Sequence, residues 1–329
     1  MNIILYSMRE DEIKFIEDWK KENPNVNLTC IKEDLTEDNY KEIKGNELLI
    51  LSQVKKLTDK IYNFIKEQKI KVIATRSAGY DIYDLDFLKE NNIAMVNVPS
   101  YSPNAIGEYV LTSALTLTRK VFDIQKKVKE YDLRWQLPIL SREMRTLTVG
   151  VIGTGRIGMA CAKLFKGVGA KVVGYDLYPN KKNEEIVEYV DFDKLLEISD
   201  IITLHSPATD DNYHMIDEKA ISKMKKDVII INAARGSLVD IKALLNALDN
   251  NKVKACAIDC YEDEASYIRK ENDDIDDEIL KELIKREDVL YTPHIAFYTQ
   301  TALKELTTNA IDYAIEVLKT GDSVGKVKL

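Results

Sequence analysis

Few residues of this chain combine type and spacing in a way that implies chemistry. The clearest is the turn GTGRIG, Gly153 to Gly158, with Asp176 following 18 residues after its last glycine. In such a turn Gly153 permits the tight bend and Gly155 lets backbone approach a pyrophosphate. Gly158 allows the following helix to pack on the strand before it, and the helix N-terminus offers unpaired N–H groups to phosphate. A carboxylate at Asp176 can accept hydrogen bonds from both ribose hydroxyls and repels a 2′-phosphate. No Arg or Lys follows it until Lys181, which favours NAD over NADP. A nicotinamide implies hydride transfer, and hydride addition to a carbonyl makes an alkoxide that needs a proton donor. The chain has three histidines, His205, His214 and His294. His214 lies in DNYHMI, a surface turn with a structural role. His205 and His294 both follow strand-like runs, where sheets of this kind bind ligands, and position alone leaves the choice between them open. A small 2-oxo acid also needs its carboxylate held. Arg235, in the polar turn closing IIINAA, has the fork-shaped, permanent charge for that role, with a surface ion pair as the competing reading. Glu262, Asp263 and Glu264 of YEDE are candidate partners for a histidine, and spacing does not choose among them.

These residues need a sheet to position them. Val149, Val151 and Ile152 predict a strand into the glycine turn. Ile157, Cys161, Leu164, Phe165 and Val168 then mark a helix, Gly169 a stop, and Val172 and Val173 a strand ending at Asp176. Beyond it the alternation continues through Val187–Val190, DIITLHSP, DVIIINAARGSLVD, KACAIDCYEDE and DVLYTPHIAFYT. The first 100 residues alternate in the same way, with runs at Ile3–Tyr6, Val26–Cys30, Leu48–Leu51, Val72–Thr75 and Ala94–Val98 and helical patterns such as Asp11–Lys21 and Thr58–Gln68. Both halves therefore predict parallel sheets covered by helices. Only the second carries a glycine fingerprint. In the first half, the loop RSAGYD follows a strand, and the backbone N–H groups of Ala78 and Gly79 could reach a carboxylate; an ordinary turn is the competing reading. NVPSYSPNAIGE follows, with Ser102 as a helix cap, Pro103 at the first helical position, and Ile106, Val110, Ala114 and Leu117 on one face. Trp135, in DLRWQ, is read as core, with a pocket wall as the competing reading. Thr301–Lys319 predicts a final amphipathic helix.

A chain of 329 residues, 45% hydrophobic, suggests two domains with sizeable cores. Its 47 basic and 55 acidic side chains, net −8, disfavour nucleic acid and anionic membranes as partners. Glu271 to Glu278 reads as a solvated acidic loop. Cys30, Cys161, Cys256 and Cys260 form no CxxC pair; Cys256 and Cys260 are expected as buried thiols in a strand, and no metal site is expected. The N-terminal apolar run is too short for a signal peptide and no run approaches a membrane span, so a cytoplasmic protein is expected.

The order GTGRIG, Asp176, NAARG, DCYEDE, TPHIAFYT, with RSAGYD and VNVPSYSPNAIGE upstream, resembles the NAD-dependent D-2-hydroxyacid dehydrogenase family over the full length. YSPNAI, DLRW, YEDE and HIAFYT are most similar to its D-lactate dehydrogenase branch. The resemblance implies an α/β protein of two Rossmann- or flavodoxin-like domains. A cofactor domain, residues 101–298, is inserted into a discontinuous substrate domain, residues 1–100 plus 299–329. Hinges near Tyr101 and Thr299 and a closing cleft are implied with it. It assigns Arg235 to the substrate carboxylate and carbonyl, His294 to acid/base work, and Glu264 to pairing with His294. It places His205 on the cofactor side and Asp259 at the nicotinamide end. It adds Arg156, Ile157, Ser206, Pro207, Asn212, Ala233, Ala234 and Arg235 to Gly153, Gly155, Gly158 and Asp176 as residues lining NAD. Ala78, Gly79, Tyr101, Ser52 and Tyr298 become substrate contacts beside Arg235 and His294. It further implies a small 2-oxo or 2-hydroxy acid as substrate, D-stereochemistry, and a homodimer formed through the cofactor domain, including the helix after Pro103. Pyruvate-preferring relatives often carry a bulky aromatic residue where LLILSQ places Ser52, so a wider pocket accepting 2-oxoisocaproate or phenylpyruvate is expected. Within the family, the main alternative is a D-2-hydroxyisocaproate or phenyllactate dehydrogenase with that wider pocket; an NAD-sensing corepressor and a formate dehydrogenase are the others. The corepressor is disfavoured by an intact catalytic trio and the absence of a peptide-docking or basic DNA-binding feature, the formate dehydrogenase by Glu264 where glutamine is usual.

Overall fold

Leu48–Leu51 and Val72–Thr75 are apolar or small at every position and buried at every position, as strands covered on both faces must be. In the computed structural model, which describes residues 1–269 and 271–329, they are the third and fourth strands of a parallel sheet. Its strands are β1 (Asn2–Leu5), β2 (Asn27–Cys30), β3 (Leu48–Leu51), β4 (Val72–Thr75) and β5 (Ala94–Val96), in the spatial order β2-β1-β3-β4-β5. The helices α1 (Ile13–Glu22), α2 (Asp59–Glu67) and α3 (Leu85–Glu90) alternate with them. The order reverses between β1 and β3, the position where open sheets of this topology form a crevice beyond the strand ends. Ser7 follows one of those strands and Ser52 the other.

The second sheet follows α4 (Pro103–Thr118) and α5 (Val121–Lys129), which meet at Lys120 in a left-handed conformation, φ 54°. Seven parallel strands make it up: β6 (Thr148–Ile152), β7 (Lys171–Tyr175), β8 (Glu188–Tyr189), β9 (Ile201–Leu204), β10 (Val228–Asn232), β11 (Val253–Ile258) and β12 (Val289–Tyr291). They run in the order β12-β11-β10-β9-β6-β7-β8, so the reversal falls between β6 and β9. The crossovers are α6 (Arg156–Gly167), α7 (Phe192–Ile198), α8 (Glu218–Lys223), α9 (Ile241–Asp249) and α10 (Glu278–Lys285). One side of this sheet packs into a core that includes Ile152, Leu195, Ile202, Ile230, Leu244 and Ile258. The chain ends with α11 (Gln300–Thr320), which buries Leu303, Leu306, Ala310, Ile311 and Ala314 on one face and stops at Gly321, φ 83°.

Two compact units result, Met1–Ser102 with Tyr298–Leu329, and Pro103–Phe297. Both are parallel α/β layers, and the second is inserted between β5 and α11 of the first.

Candidate active site

At the β6–β9 reversal the glycines are held by what surrounds them. Gly153 has φ 87°, and a Cβ there would stand 2.7 Å from Ser206 Oγ. A Cβ on Gly158 would stand 1.9 Å from the carbonyl oxygen of Gly153, so only glycine lets α6 begin this close to the strand. Among the described residues nothing beyond the adjoining chain lies within 4 Å of a Cβ position on Gly155, and Gly155 caps α6 with no side-chain acceptor. The result is an open cradle at a helix N-terminus. Asp176 closes its far side. Its Oδ2 accepts from the Thr154 N–H at 2.7 Å and the Thr154 hydroxyl at 3.0 Å, and its Oδ1 accepts from the Tyr178 N–H at 2.9 Å. Ser206, Pro207 and Asn212 belong to one loop, braced by Asn212 donating to the Pro207 carbonyl at 2.8 Å and accepting from the Thr209 N–H at 2.8 Å.

His205, after β9, hydrogen-bonds through Nε2 to Thr203 Oγ1 at 2.9 Å. Burial pushes its pKa down to about 3. Its Nδ1 atom is buried and has no hydrogen-bond partner among the described residues. A neutral ring with one polar atom unfilled at the switch point suits contact with a bound dinucleotide, and His205 is unsuited to proton donation at neutral pH. Together with the open cradle at Gly155, it shows that these residues fit NAD.

Three neighbouring strand ends build the other part of the site. After β10, Asn232 is fully buried and folds the NAARG turn back on itself: it donates to the Arg235 carbonyl at 2.8 Å and accepts from the Ala234 N–H at 3.1 Å. Sequence reasoning passed over this asparagine, although a polar residue closing five strand positions was a signal. Arg235 lies half-buried in that turn, with Nη1 donating to the Ala234 carbonyl at 2.8 Å. Gly236 is next, and a Cβ on it would stand 2.2 Å from the Glu262 nitrogen. The NAARG turn therefore rests directly on the YEDE loop that follows β11.

Glu264 is the acid of YEDE that meets a histidine at the end of β12. Its Oε1 is 2.5 Å from His294 Nδ1, and its Oε2 accepts from the Tyr261 N–H at 2.8 Å. Glu262 instead meets His214, 3.0 Å from its Nε2. Partial burial of the His294 ring works against its charge, while the Cys260 sulfur and the Glu264 carboxylate favour it; the net effect raises its pKa well above 6.5. Burial holds the Cys260 thiol above its usual range, so Cys260 is neutral and Glu264 supplies the negative charge. Asp259, 1% exposed, turns its carboxylate to the His294 loop. It accepts from Thr292 Oγ1 at 2.6 Å and from the Ile295 and Ala296 N–H groups, both at 2.9 Å.

The substrate-side candidates Ser52, Ala78, Gly79, Tyr101 and Tyr298 all belong to the first unit. Ser52 is buried at the end of β3. The Ala78–Gly79 loop is fixed by the Asn97 amide donating to the Ala78 carbonyl at 2.7 Å and by the Ser77 hydroxyl donating to the Gly79 carbonyl at 2.6 Å. Tyr298 donates through its hydroxyl to Asp11. Within RSAGYD the sequence reading missed Arg76, which is fully buried against Glu12.

Two sequence expectations need correction. Trp135 is 98% exposed, not core; it lies in an irregular segment after α5, with none of the described residues packed over it. Cys260 is buried as expected but lies two residues beyond the end of β11 rather than in the strand. Among the described residues no group of three His, Cys, Asp or Glu is placed to hold a metal ion, and no helix is long and apolar enough to cross a membrane.

A doubly wound sheet with a dinucleotide cradle at its reversal, and an Arg, Glu and His on the next three strand ends, defines a nicotinamide-dependent dehydrogenase. Comparison gives the family. The model of the D-isomer specific 2-hydroxyacid dehydrogenase NAD binding domain matches residues 111–296. A D-lactate dehydrogenase of Treponema pallidum (strain Nichols) is 45% identical over 331 residues, covering all of both chains. The crystal structure of a Treponema pallidum D-lactate dehydrogenase superimposes with a TM-score of 0.92, at 45% identity over the whole of both chains. The NAD-complexed D-isomer specific 2-hydroxyacid dehydrogenase of Lactobacillus delbrueckii ssp. bulgaricus gives 0.88 at 33% identity, again over both chains in full. This chain belongs to the NAD-dependent D-isomer specific 2-hydroxyacid dehydrogenases.

Proposed function

We propose that the protein reduces pyruvate, and related 2-oxo acids, to D-lactate and the corresponding D-2-hydroxy acids. The observation that carries this is the 2.5 Å contact between Glu264 Oε1 and His294 Nδ1, because it keeps the imidazole charged and its orientation fixed. NADH, held by the Gly153–Gly158 cradle and Asp176, would supply the hydride for the 2-oxo carbon. Arg235 holds the substrate carboxylate and turns its carbonyl oxygen toward His294, which releases a ring proton to the developing alkoxide. Glu264, held at Nδ1, steadies the imidazolium. Ser52, Ala78, Gly79, Tyr101 and Tyr298 serve as the substrate-side residues, and Ser52, small and set at the β1–β3 reversal, leaves room for side chains longer than methyl.

An assay of NADH oxidation with pyruvate, 2-oxoisocaproate and phenylpyruvate, followed by chiral analysis of each product, tests the reading. D-products from pyruvate and at least one larger acid are expected. L-lactate, or no turnover with any 2-oxo acid, overturns it, and the latter outcome would favour a binding protein that senses NAD(H). Activity confined to pyruvate removes the role given to Ser52.

The protein is further proposed to be a cytoplasmic homodimer that associates through its second unit. Support for the dimer is the apolar surface after α4: α5 buries none of its residues, and Phe122 (56%), Leu133 (73%), Trp135 (98%) and Leu137 (83%) are exposed there. A monomer rarely leaves so much aromatic and aliphatic surface in water. All four cysteines are free thiols, which supports a reducing compartment.

A further inference from the structure

His294 has a backbone φ of 56°, a left-handed conformation that a non-glycine residue holds only when its surroundings impose it. Asp259 imposes it from both sides. Its main-chain carbonyl accepts from the His294 N–H at 2.7 Å, and its carboxylate takes the next two N–H groups, of Ile295 and Ala296, together with the Thr292 hydroxyl. The hydroxyl of Thr292 has one proton, and the carboxylate can only accept, so that proton goes to Asp259 Oδ1 at 2.6 Å. The phenol of Tyr109 lies 2.5 Å from the same Thr292 oxygen and must therefore be the donor. Tyr109 sits on α4, at the opposite end of this chain of bonds from the catalytic loop, with its carbonyl fixed by Ser113 at 2.9 Å.

We propose that Tyr109 is a positioning residue for His294, acting through Thr292 and Asp259. Each donor in the chain polarises the next. The Tyr109 proton strengthens the Thr292 donor, which in turn stabilises the buried Asp259 anion, and the anion holds the backbone that presents the imidazole. Burial raises the Tyr109 pKa above the usual phenol value, so the donor stays protonated wherever the enzyme works.

The inference rests on the proposed acid/base role of His294, and Tyr109→Phe tests it while keeping the ring's packing. The expected result is a fall in kcat for pyruvate reduction of roughly three- to tenfold, the loss of one hydrogen bond's net contribution, with KM for NADH within about twofold. A weaker hold on the His294 loop lets the imidazole drift from the Glu264 carboxylate that keeps it charged, so the alkaline limb of the kcat/KM profile moves to lower pH by roughly half a unit. Thr292→Ser retains the relay and stays near wild-type, whereas Thr292→Val behaves like Tyr109→Phe, and the double variant adds little to Thr292→Val alone. An unchanged kcat and pH profile in Tyr109→Phe, or additive losses in the double variant, overturns the proposal. NMR titration of the His294 imidazole reads the same shift without turnover. A wild-type enzyme inactive on every 2-oxo acid would therefore refute the function while leaving this test intact.

Discussion

Glu264 binds His294 Nδ1 at 2.5 Å with one carboxylate oxygen and the Tyr261 N–H at 2.8 Å with the other, so both ring and acid are fixed in place before any substrate arrives. The raised His294 pKa means that the proton needed for reduction is present through neutral pH and lost only on the alkaline side. Glu264→Gln removes the charge and keeps a hydrogen-bonding shape. Its alkaline limb for pyruvate reduction should fall toward the ordinary imidazole value of about 6.5. His294→Ala should lose about 10²–10⁴ in kcat. Stability follows the same sign. The pair contributes fully below the unfolded value of about 6.5 and loses that contribution as pH rises through the higher folded value. Steady-state pH profiles of both variants check this, and an unmoved limb in Glu264→Gln would falsify the pairing.

Asp176 serves the glycine loop as well as any ribose, because its Oδ2 holds both the N–H and the hydroxyl of Thr154. Asp176→Ala should therefore have two consequences. The ratio of kcat/KM with NADH to that with NADPH should drop at least about tenfold once the repulsive carboxylate is gone. Stability in urea should fall by about 1–3 kcal/mol, since the backbone N–H of Thr154, a residue 6% exposed, loses its acceptor. An unchanged cofactor ratio would mean that selection lies elsewhere in the loop.

In the first unit, Arg76 and Glu12 form an ion pair with side chains 0% and 1% exposed. The guanidinium also donates to the carbonyls of Tyr6 at 3.0 Å and Ser7 at 2.7 Å, tying β1, β4 and the start of α1 together. Burial opposes the Glu12 charge, but Arg76 and Arg9 outweigh it and hold its pKa below the usual value. Glu12→Gln strands a buried cation and should cost about 3–5 kcal/mol at neutral pH. With a depressed folded pKa, the native pair stabilises above the unfolded carboxyl value of about 4.3 and loses that contribution as pH falls through the folded value. The gap between wild-type and variant in urea unfolding should therefore narrow in acid, and a gap independent of pH would count against the pair as its source.

How much of this was legible depended on whether the physics is local. The βα alternation and the glycine fingerprint are local patterns, so strands such as Leu48–Leu51 and the cradle at Gly153 to Gly158 could be read directly. The Glu264–His294 pair is not local. Glu264 and His294 are 30 residues apart, and spacing gave no reason to prefer Glu264 over Glu262 or His294 over His205; only the family resemblance chose. The structure supplies a physical distinction, because among the described residues no carboxylate bonds to the half-buried His205 and Glu262 turns to His214. Arg76 and Glu12, separated by 64 residues, left no pattern to find. Trp135 failed for another reason. Aromatic character reports that a side chain prefers to leave water, not which surface covers it.

Trp135 gives the last prediction. The chain has two tryptophans. Trp19 is 4% exposed and bonded to Asp312 at 2.8 Å, so Trp19→Phe leaves Trp135 as the sole indole reporter. In a homodimer seated on the apolar segment around Phe122, Leu133 and Leu137, the Trp135 emission should be blue-shifted at high protein concentration. It should move to the red as dilution separates the protomers. Trp135→Arg places a charge in the same contact and should weaken association by about 30-fold or more, the scale of a central aromatic at an interface, as read by sedimentation equilibrium. Emission characteristic of water at every concentration, together with a monomeric mass, would show that no second copy covers this surface.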